Sequence, residues 1–100
     1  MRYLTIAADY SVSCLKDDFT GPLEPDDLKL PAALAAALSR WNERYKSIIP
    51  LDMDQRTKPD TAELIDRLDQ EGQELANQVR EAVGEAKVRY YSEGHLKYLW

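Results

Sequence analysis

The apolar and polar positions of the first thirty residues predict one short strand followed by a long loop. Residues 2–8 form a largely apolar run that is too short for a helix, and the turn-forming Asp9 follows it. This run predicts a buried first strand. Residues 9–30 are rich in Asp, Ser, Pro and Gly, which are typical of turns, so we interpret them as one surface loop. A helical turn near residues 26–30 could shorten that loop.

The next segment has the pattern of an amphipathic helix. Pro31 suits the first position of a helix, where its missing N–H costs nothing, and an alanine-rich run follows it. Apolar side chains then recur at steps of three and four residues, which places them on one face of a helix. They are Leu34, Leu38, Trp41, Tyr45 and Ile48. The pattern predicts a helix over 31–47, ended by Pro50 and followed by a polar connector over 50–59.

A second amphipathic helix is predicted over 60–83. Asp60 and Glu63 have the spacing of a capping box, and Gly84 is a typical left-handed C-terminal stop. The apolar stripe of this helix contains a glycine, Gly72, for which we expect a close approach to the sheet or to the first helix. The stripe comprises Leu64, Leu68, Gly72, Leu75, Val79 and Ala82.

The C-terminal residues predict a strand and a hairpin. Residues 86–91 show the two-residue alternation of a half-exposed strand, and turn-forming residues at 92–95 precede a third strand over 96–100. The resulting order, β-α-α-β-β, predicts an α/β fold in which a short mixed sheet is packed by two helices. We expect the first two strands to pair in parallel through a right-handed crossover. The predicted core comprises Leu4, Ile6, Leu34, Leu38, Leu64, Leu68, Leu75, Val79 and Val88.

Length, charge and cysteine content restrict the classes of function. The 100 residues have room for a single domain over 1–100. The 18 acidic and 13 basic side chains give a net charge of −5, which opposes direct binding to nucleic acid or to an anionic membrane surface. Cys14 is the single cysteine, so an intramolecular disulfide and a multi-cysteine zinc site are excluded. The apolar runs are too short for a signal peptide or a membrane span, so we predict a soluble cytoplasmic protein.

Candidate catalytic and metal-binding residues are few. His95 is the single imidazole and falls in the predicted hairpin turn, and Cys14 has no nucleophile motif around it and suits burial. Four acids of the segment 52–63 have the spacing of a calcium loop, but Arg56 and Thr57 occupy the positions that need an oxygen ligand and a glycine. We therefore expect a protein that is not an enzyme and uses no metal and no cofactor.

The acidic residues are concentrated in two places, the predicted loop and the outward face of the second helix. For the helix alone, the plain interpretation is a solvated surface. Taken with the loop, the acids suit electrostatic steering toward a basic protein partner, and we predict that they form the partner-binding surface. They are Asp17, Asp18, Glu24, Asp26 and Asp27 in the loop, and Asp66, Glu74 and Glu81 in the helix.

Four short segments resemble a known family. They are ADYSVSCL at 8–15, DDLKLP at 26–31, RWNERY at 40–45 and EGQELA at 71–76. In this order they are similar to small acidic bacterial proteins that include the immunity proteins of contact-dependent growth inhibition systems. The resemblance implies a protein that binds, in the cytoplasm, the toxic C-terminal domain of a delivered effector and blocks it without chemistry of its own. Such toxins are frequently nucleases, whose basic cleft an acidic protein could cover.

Two other classes of function remain open from the residues alone. A small enzyme or ligand-binding domain could use polar residues at the end of the first strand, where open α/β sheets place ligands. These residues are Asp9, Tyr10, Ser11 and Ser13. A homo-oligomeric structural module could instead bury Trp41, Tyr91 and Trp100 against a second copy of the chain.

Overall fold

The computed structural model describes residues 1–10 and 13–100, which contain five strands, three α-helices and one 3₁₀ turn. In chain order these elements are β1 (Arg2–Ile6), β2 (Leu15–Asp17), β3 (Gly21–Leu23), the 3₁₀ turn (Pro25–Leu28), α1 (Ala32–Tyr45), α2 (Met53–Arg56), α3 (Pro59–Val83), β4 (Ala86–Ser92) and β5 (Lys97–Tyr98). The predicted α/β class is confirmed, because three strands precede the two long helices, two strands follow them, and all five join one sheet.

The five strands form one mixed sheet in the order β3-β2-β1-β4-β5. β1 pairs in parallel with β4, with Leu4 opposite Val88 and Ile6 opposite Tyr90, and the remaining pairs are antiparallel. The predicted parallel pairing of the first strand with the strand after the helices is therefore confirmed. The hairpin of β4 and β5 confirms the predicted third strand, which is shorter than expected.

The helical turn expected near residues 26–30 is present as the 3₁₀ turn over Pro25–Leu28, but the prediction of one surface loop over residues 9–30 is wrong, because this segment also contains β2 and β3. Its turn-forming residues lie where two very short strands reverse direction. Asp17 Oδ1 accepts hydrogen bonds from the backbone N–H groups of Phe19 (2.8 Å) and Thr20 (3.1 Å). Gly21 follows with a φ of 98°, and the edge strand β3 tolerates a proline. Strands of three residues are too short to show a two-residue period.

α1 presents the predicted apolar stripe to the core through four of the five stripe residues, and the fifth, Ile48, is buried in the turn just after the helix. Trp41 Nε1 also donates a hydrogen bond to the backbone carbonyl of Leu68 in α3 (2.8 Å), which joins the two long helices. The helix begins at Ala32, with Pro31 in the N-cap position, one residue later than predicted. The predicted helix and its orientation are therefore confirmed.

α3 starts slightly earlier than predicted, and the capping box predicted at its start is wrong. Its N-cap is Lys58 and its first residue is Pro59, so Asp60 already lies inside the helix. The capping box stands instead at the start of α2. Asp52 Oδ1 accepts from the N–H of Gln55 (2.8 Å), and the Gln55 side chain accepts from the N–H of Asp52 (3.2 Å). The connector predicted over 50–59 therefore contains a short helix.

The buried face of α3 is rotated slightly from the predicted stripe. Ile65 is 1% exposed, whereas Leu64, which the pattern placed in the core, is 37% exposed. Adjacent residues of a helix lie about 100° apart, so both cannot point to the centre of the core. The face that includes Ile65 also includes Asp69, and Ala82 at the far end of the helix is exposed. The other eight predicted core residues are buried.

Two glycines shape α3 at the predicted positions. A Cβ atom at Gly72 would lie 2.5 Å from Cε2 of Tyr90 and 2.7 Å from Cζ2 of Trp41, far inside van der Waals contact. Both of those rings are fully buried, so the helix reaches its position only with a glycine there. Gly84 ends the helix at the predicted place, in the C-cap position, but its φ of 86° and ψ of −85° are not the predicted left-handed helical conformation.

Leu75→Ala and Leu64→Ala test this orientation of α3. Leu75 is 5% exposed, so we expect Leu75→Ala to lower the free energy of unfolding by about 2 kcal/mol or more. Leu64→Ala should change that free energy by no more than about 0.5 kcal/mol, because its side chain is already partly in water. Urea denaturation followed by circular dichroism measures both. Equal costs for the two variants would contradict the observed orientation.

Candidate functional site

The face of the sheet opposite α1 and α3 is open and forms a shallow groove. Side chains alternate along a strand, so Leu4 and Val88 point toward the helices, and Thr5, Arg89 and Tyr91 point away from them. The last three line a cavity of about 600 Å³, which also takes residues from β2, β5 and the segment after β1. The groove therefore lies over the middle of the sheet.

Two ion pairs occupy the floor of the groove. Thr5 Oγ1 donates a hydrogen bond to Asp18 Oδ1 (2.6 Å), and the Arg89 guanidinium lies 3.3 Å from Asp18 Oδ2. Lys16 Nζ lies 3.1 Å from Asp9 Oδ2. Both basic side chains of the groove thus already have a carboxylate partner.

Two pairs of aromatic side chains lie next to residues of the Asp18–Arg89 ion pair. The Arg89 guanidinium carbon lies 4.5 Å from the ring centroid of Tyr98, which meets Tyr91 edge to face at 5.0 Å. Tyr3, whose carbonyl accepts from the N–H of Asp18, meets Phe19 edge to face at 5.7 Å. Phe19 is 80% exposed and Tyr98 is 50% exposed, so large apolar surfaces face solvent here.

Glu93 lies at the edge of the groove, in the turn that follows β4. Partial burial raises the pKa of its carboxyl group, and the nearby Arg56 opposes that shift. The Glu93 side chain is half-buried. Among the described residues, Glu93 is the one acid of the groove whose carboxylate forms no ion pair.

The five predicted loop acids lie together along β2, β3 and the 3₁₀ turn, and two of them hold the local fold. The N–H of Phe19 donates to the Asp17 carboxylate and holds its pKa below the usual range. Asp27 Oδ2 accepts from the N–H of Glu24 (2.8 Å) at the start of the 3₁₀ turn. Glu24 and Asp26 are exposed to solvent. Their carboxylates are available to a partner at the β3 edge of the sheet.

The three predicted helix acids lie on another surface. Asp66, Glu74 and Glu81 are exposed on the side of α3 opposite its buried stripe. Asp66 Oδ1 lies 2.9 Å from Nε2 of His95, an exposed residue of the turn after β4. Because α3 packs on β4 and α1, the outer side of the helix layer carries these acids, and the structure does not bring them together with the loop acids.

The sequence interpretation missed a buried carboxylate, Asp69 of α3, which is 3% exposed. Its Oδ1 accepts hydrogen bonds from the hydroxyl groups of Tyr45 (2.8 Å) and Tyr90 (2.7 Å), and its Oδ2 accepts from that of Ser92 (2.6 Å). The only sequence signal for its burial is its spacing, three residues before Gly72 on the packed face.

Ser92, Asp69 and Cys14 are not arranged as a catalytic nucleophile and its base. Ser92 donates directly to the Asp69 carboxylate rather than to a histidine nitrogen, and its side chain is fully buried. Cys14 is buried as predicted, and burial raises its pKa to about 11, which keeps it a thiol. Across residues 1–10 and 13–100, no group of three potential ligand side chains is placed to hold a metal ion. None of the described helices is long and apolar enough to span a membrane.

The structure agrees only in part with the two alternative hypotheses, a homo-oligomeric module and a ligand-binding domain. Trp41, which the homo-oligomer hypothesis placed against a second copy, is instead buried within the chain, so that part of the hypothesis is wrong. Trp100 is partly exposed, and its Nε1 donates to Oε1 of Gln73 (2.8 Å). For the ligand-binding hypothesis, Asp9 and Tyr10 line the groove.

Two further residues of the ligand-binding hypothesis lie elsewhere. Ser13 lines a second, smaller cavity between the segment before β2 and α1. Ser11 lies outside the described residues. The polar groups proposed for a small ligand are therefore divided between two cavities.

Comparison with known protein families gives a match over nearly the whole chain. A family model described as Serratia CdiI immunity protein-like matches residues 2–93, a range that contains every element except β5. Comparison with curated proteins found no match.

Proposed function

Because the chain belongs to the Serratia CdiI immunity protein-like family, we propose that it binds the toxic domain of a contact-dependent growth inhibition effector in the cytoplasm and blocks its activity. The observation that carries this proposal is the family match over residues 2–93. The open, aromatic face of the sheet and the exposed acids supply surfaces that a protein partner could contact. The chain itself performs no catalysis in this proposal.

We further propose that the toxin is a nuclease. A nuclease domain needs a basic cleft for phosphate groups, and a chain with a net charge of −5 is suited to meet such a cleft. The exposed acids lie on both the β3 edge and the outer side of α3, so their combined electrostatic field extends well beyond the area of a single interface. An interface of roughly 800 Å² on each partner is enough for a stable complex.

Reconstitution tests this function. The C-terminal domain of the effector encoded beside this chain is purified and incubated with DNA and with RNA, alone or with an equimolar amount of the chain. We expect the toxin domain to degrade one of these substrates and the chain to stop the degradation, whereas the chain alone degrades neither. A toxin that attacks another target but is still blocked would contradict only the nuclease assignment.

Charge reversal tests the steering role of the acids. Glu24→Lys with Asp26→Lys, and Glu74→Lys with Glu81→Lys, change the net charge equally on two surfaces. Asp17 and Asp27 are left intact because they accept backbone hydrogen bonds. Each pair should slow association with the toxin domain by roughly tenfold at low salt and flatten its salt dependence.

Stopped-flow mixing at two salt concentrations measures these rates, and the melting temperature of each variant checks its fold. A chain with Glu74→Gln and Glu81→Gln serves as the control for loss of the two negative charges without the addition of positive ones, and it should show an intermediate rate. If both reversals associate as fast as the unmodified chain, steering by these acids is eliminated.

A further inference from the structure

The open face of the sheet does not have the composition expected of a face that only meets water. When helices cover one face of a sheet, the other is ordinarily polar. Here it exposes Phe19, Tyr98 and Tyr3 beside a stacked arginine, Arg89. Aromatic residues and arginine are the types enriched at the centres of protein interfaces. The outer side of α3, by contrast, exposes mainly charged side chains.

The charges of the groove indicate which partner chemistry it accepts. Four acids line it against two bases, Lys16 and Arg89, and each base is already paired with an acid. An anionic guest would therefore have to break an existing ion pair. A cationic guest would find Glu93, which is half-buried and forms no ion pair within the described part of the chain.

We propose that the open sheet face is the docking surface for the toxin domain, and that Glu93 receives a lysine or arginine side chain of a toxin segment lying between Phe19 and Tyr98. This inference rests on the proposed immunity function. The aromatic side chains supply the apolar area that excludes water around the new ion pair. The loop acids Glu24 and Asp26 flank this face and speed the approach, whereas the acids of α3 act only at a distance.

Two substitutions on this face, each with a matched control on α3, test the proposal. Phe19→Ala is compared with Leu64→Ala, another exposed apolar residue, and Glu93→Gln is compared with Glu63→Gln, an exposed acid of α3 to which no binding role is assigned. The dissociation constant for the C-terminal domain of the effector encoded beside this chain is measured by titration calorimetry. We expect Phe19→Ala and Glu93→Gln each to weaken binding by about tenfold or more, mainly through faster dissociation. The two controls should stay within about twofold of the unmodified chain.

The outcomes separate this inference from the function on which it rests. If the unmodified chain binds and blocks the toxin domain, yet both variants of the open sheet face bind like their controls, the docking surface is wrong and the immunity function stands. If the unmodified chain does not bind the toxin domain, both are overturned. Sedimentation velocity tests whether a second copy of the chain occupies the open sheet face instead. If the unmodified chain forms a dimer and Phe19→Ala dissociates it, the face belongs to a second copy and the proposal is overturned.

Discussion

Asp69→Ala is expected to lower the free energy of unfolding by about 3 to 5 kcal/mol, a large share of the stability of a domain of this size. The substitution leaves the buried hydroxyl groups of Tyr45, Tyr90 and Ser92 without their acceptor. A buried donor without a partner costs about 1 to 3 kcal/mol, and the three cannot all reach water without opening the core. Urea denaturation of the variant and of the unmodified chain measures the difference.

Asp66→Ala is the matched control, because it removes the same side chain from the same helix at an exposed position. Its effect should stay within about 0.5 kcal/mol, since a solvent-exposed pair with His95 contributes little. Asp69→Asn should fall between the two, because one amide oxygen still accepts while the NH₂ group adds a donor. If Asp69→Ala proved as mild as Asp66→Ala, the buried network would not hold the fold together.

The Asp69 network also positions the groove. Tyr45 OH accepts a hydrogen bond from the N–H of Gly94 (2.8 Å), and Ser92 Oγ accepts one from the N–H of His95 (3.0 Å). The same hydroxyl groups that donate to Asp69 therefore also hold the turn that contains Glu93. Burial, reinforced by the Asp69 carboxylate, raises the pKa of both Tyr45 and Tyr90. Both hydroxyl groups therefore remain protonated donors through the physiological range of pH.

The helices and the parallel strand pair were predictable because their residues repeat with a regular period. The stripe of α1 runs from Leu34 to Tyr45, about three helical turns, so one misplaced residue could not hide it. The α3 stripe was wrong at Leu64, because Leu64 and Ile65 are both apolar and periodicity alone does not decide which of two neighbours is buried, and at Ala82 near the end of the helix. A polar residue such as Asp69 on the buried face adds to that ambiguity, because its burial depends on partners from α1 and β4.

The open face of the sheet was not predictable, because it is formed in part by β2 and β3, which are too short to show the alternation of apolar and polar residues typical of a strand. β2 and β3 contribute three residues each, and their pairing is determined by contacts with β1 rather than by local propensity. Without β2, nothing in the sequence places Asp18 beside Thr5 and Arg89. The sequence shows where acids are concentrated, but it does not distinguish Asp17, which accepts backbone hydrogen bonds, from the freely exposed Asp26.

Arg56→Ala is expected to lower the free energy of unfolding by about 3 kcal/mol, although the residue looks like an ordinary charge of a polar connector. Its side chain is buried, and its guanidinium donates to backbone carbonyl groups on both sides. Nε and NH2 donate to the carbonyls of Leu51 (2.9 Å) and Ile49 (2.8 Å), while NH1 donates to those of Glu93 and Gly94. Arg56 thus ties the segment before α2 to the turn that carries Glu93.

Arg56→Lys separates this bridging role from charge alone. A lysine ammonium group keeps the charge but donates from one atom, so it cannot reach carbonyls on opposite sides at once, and we expect most of the loss to remain. Arg67→Ala, at an exposed position of α3, should change stability by no more than about 0.5 kcal/mol. Hydrogen exchange provides the site-specific measurement: the amides of Gly94 and His95 should exchange faster in Arg56→Lys, while those in the middle of α1 should not. If Arg56→Lys retained full stability and protection at the turn, positive charge alone would account for the role of Arg56, and the bridge of carbonyl contacts would be dispensable.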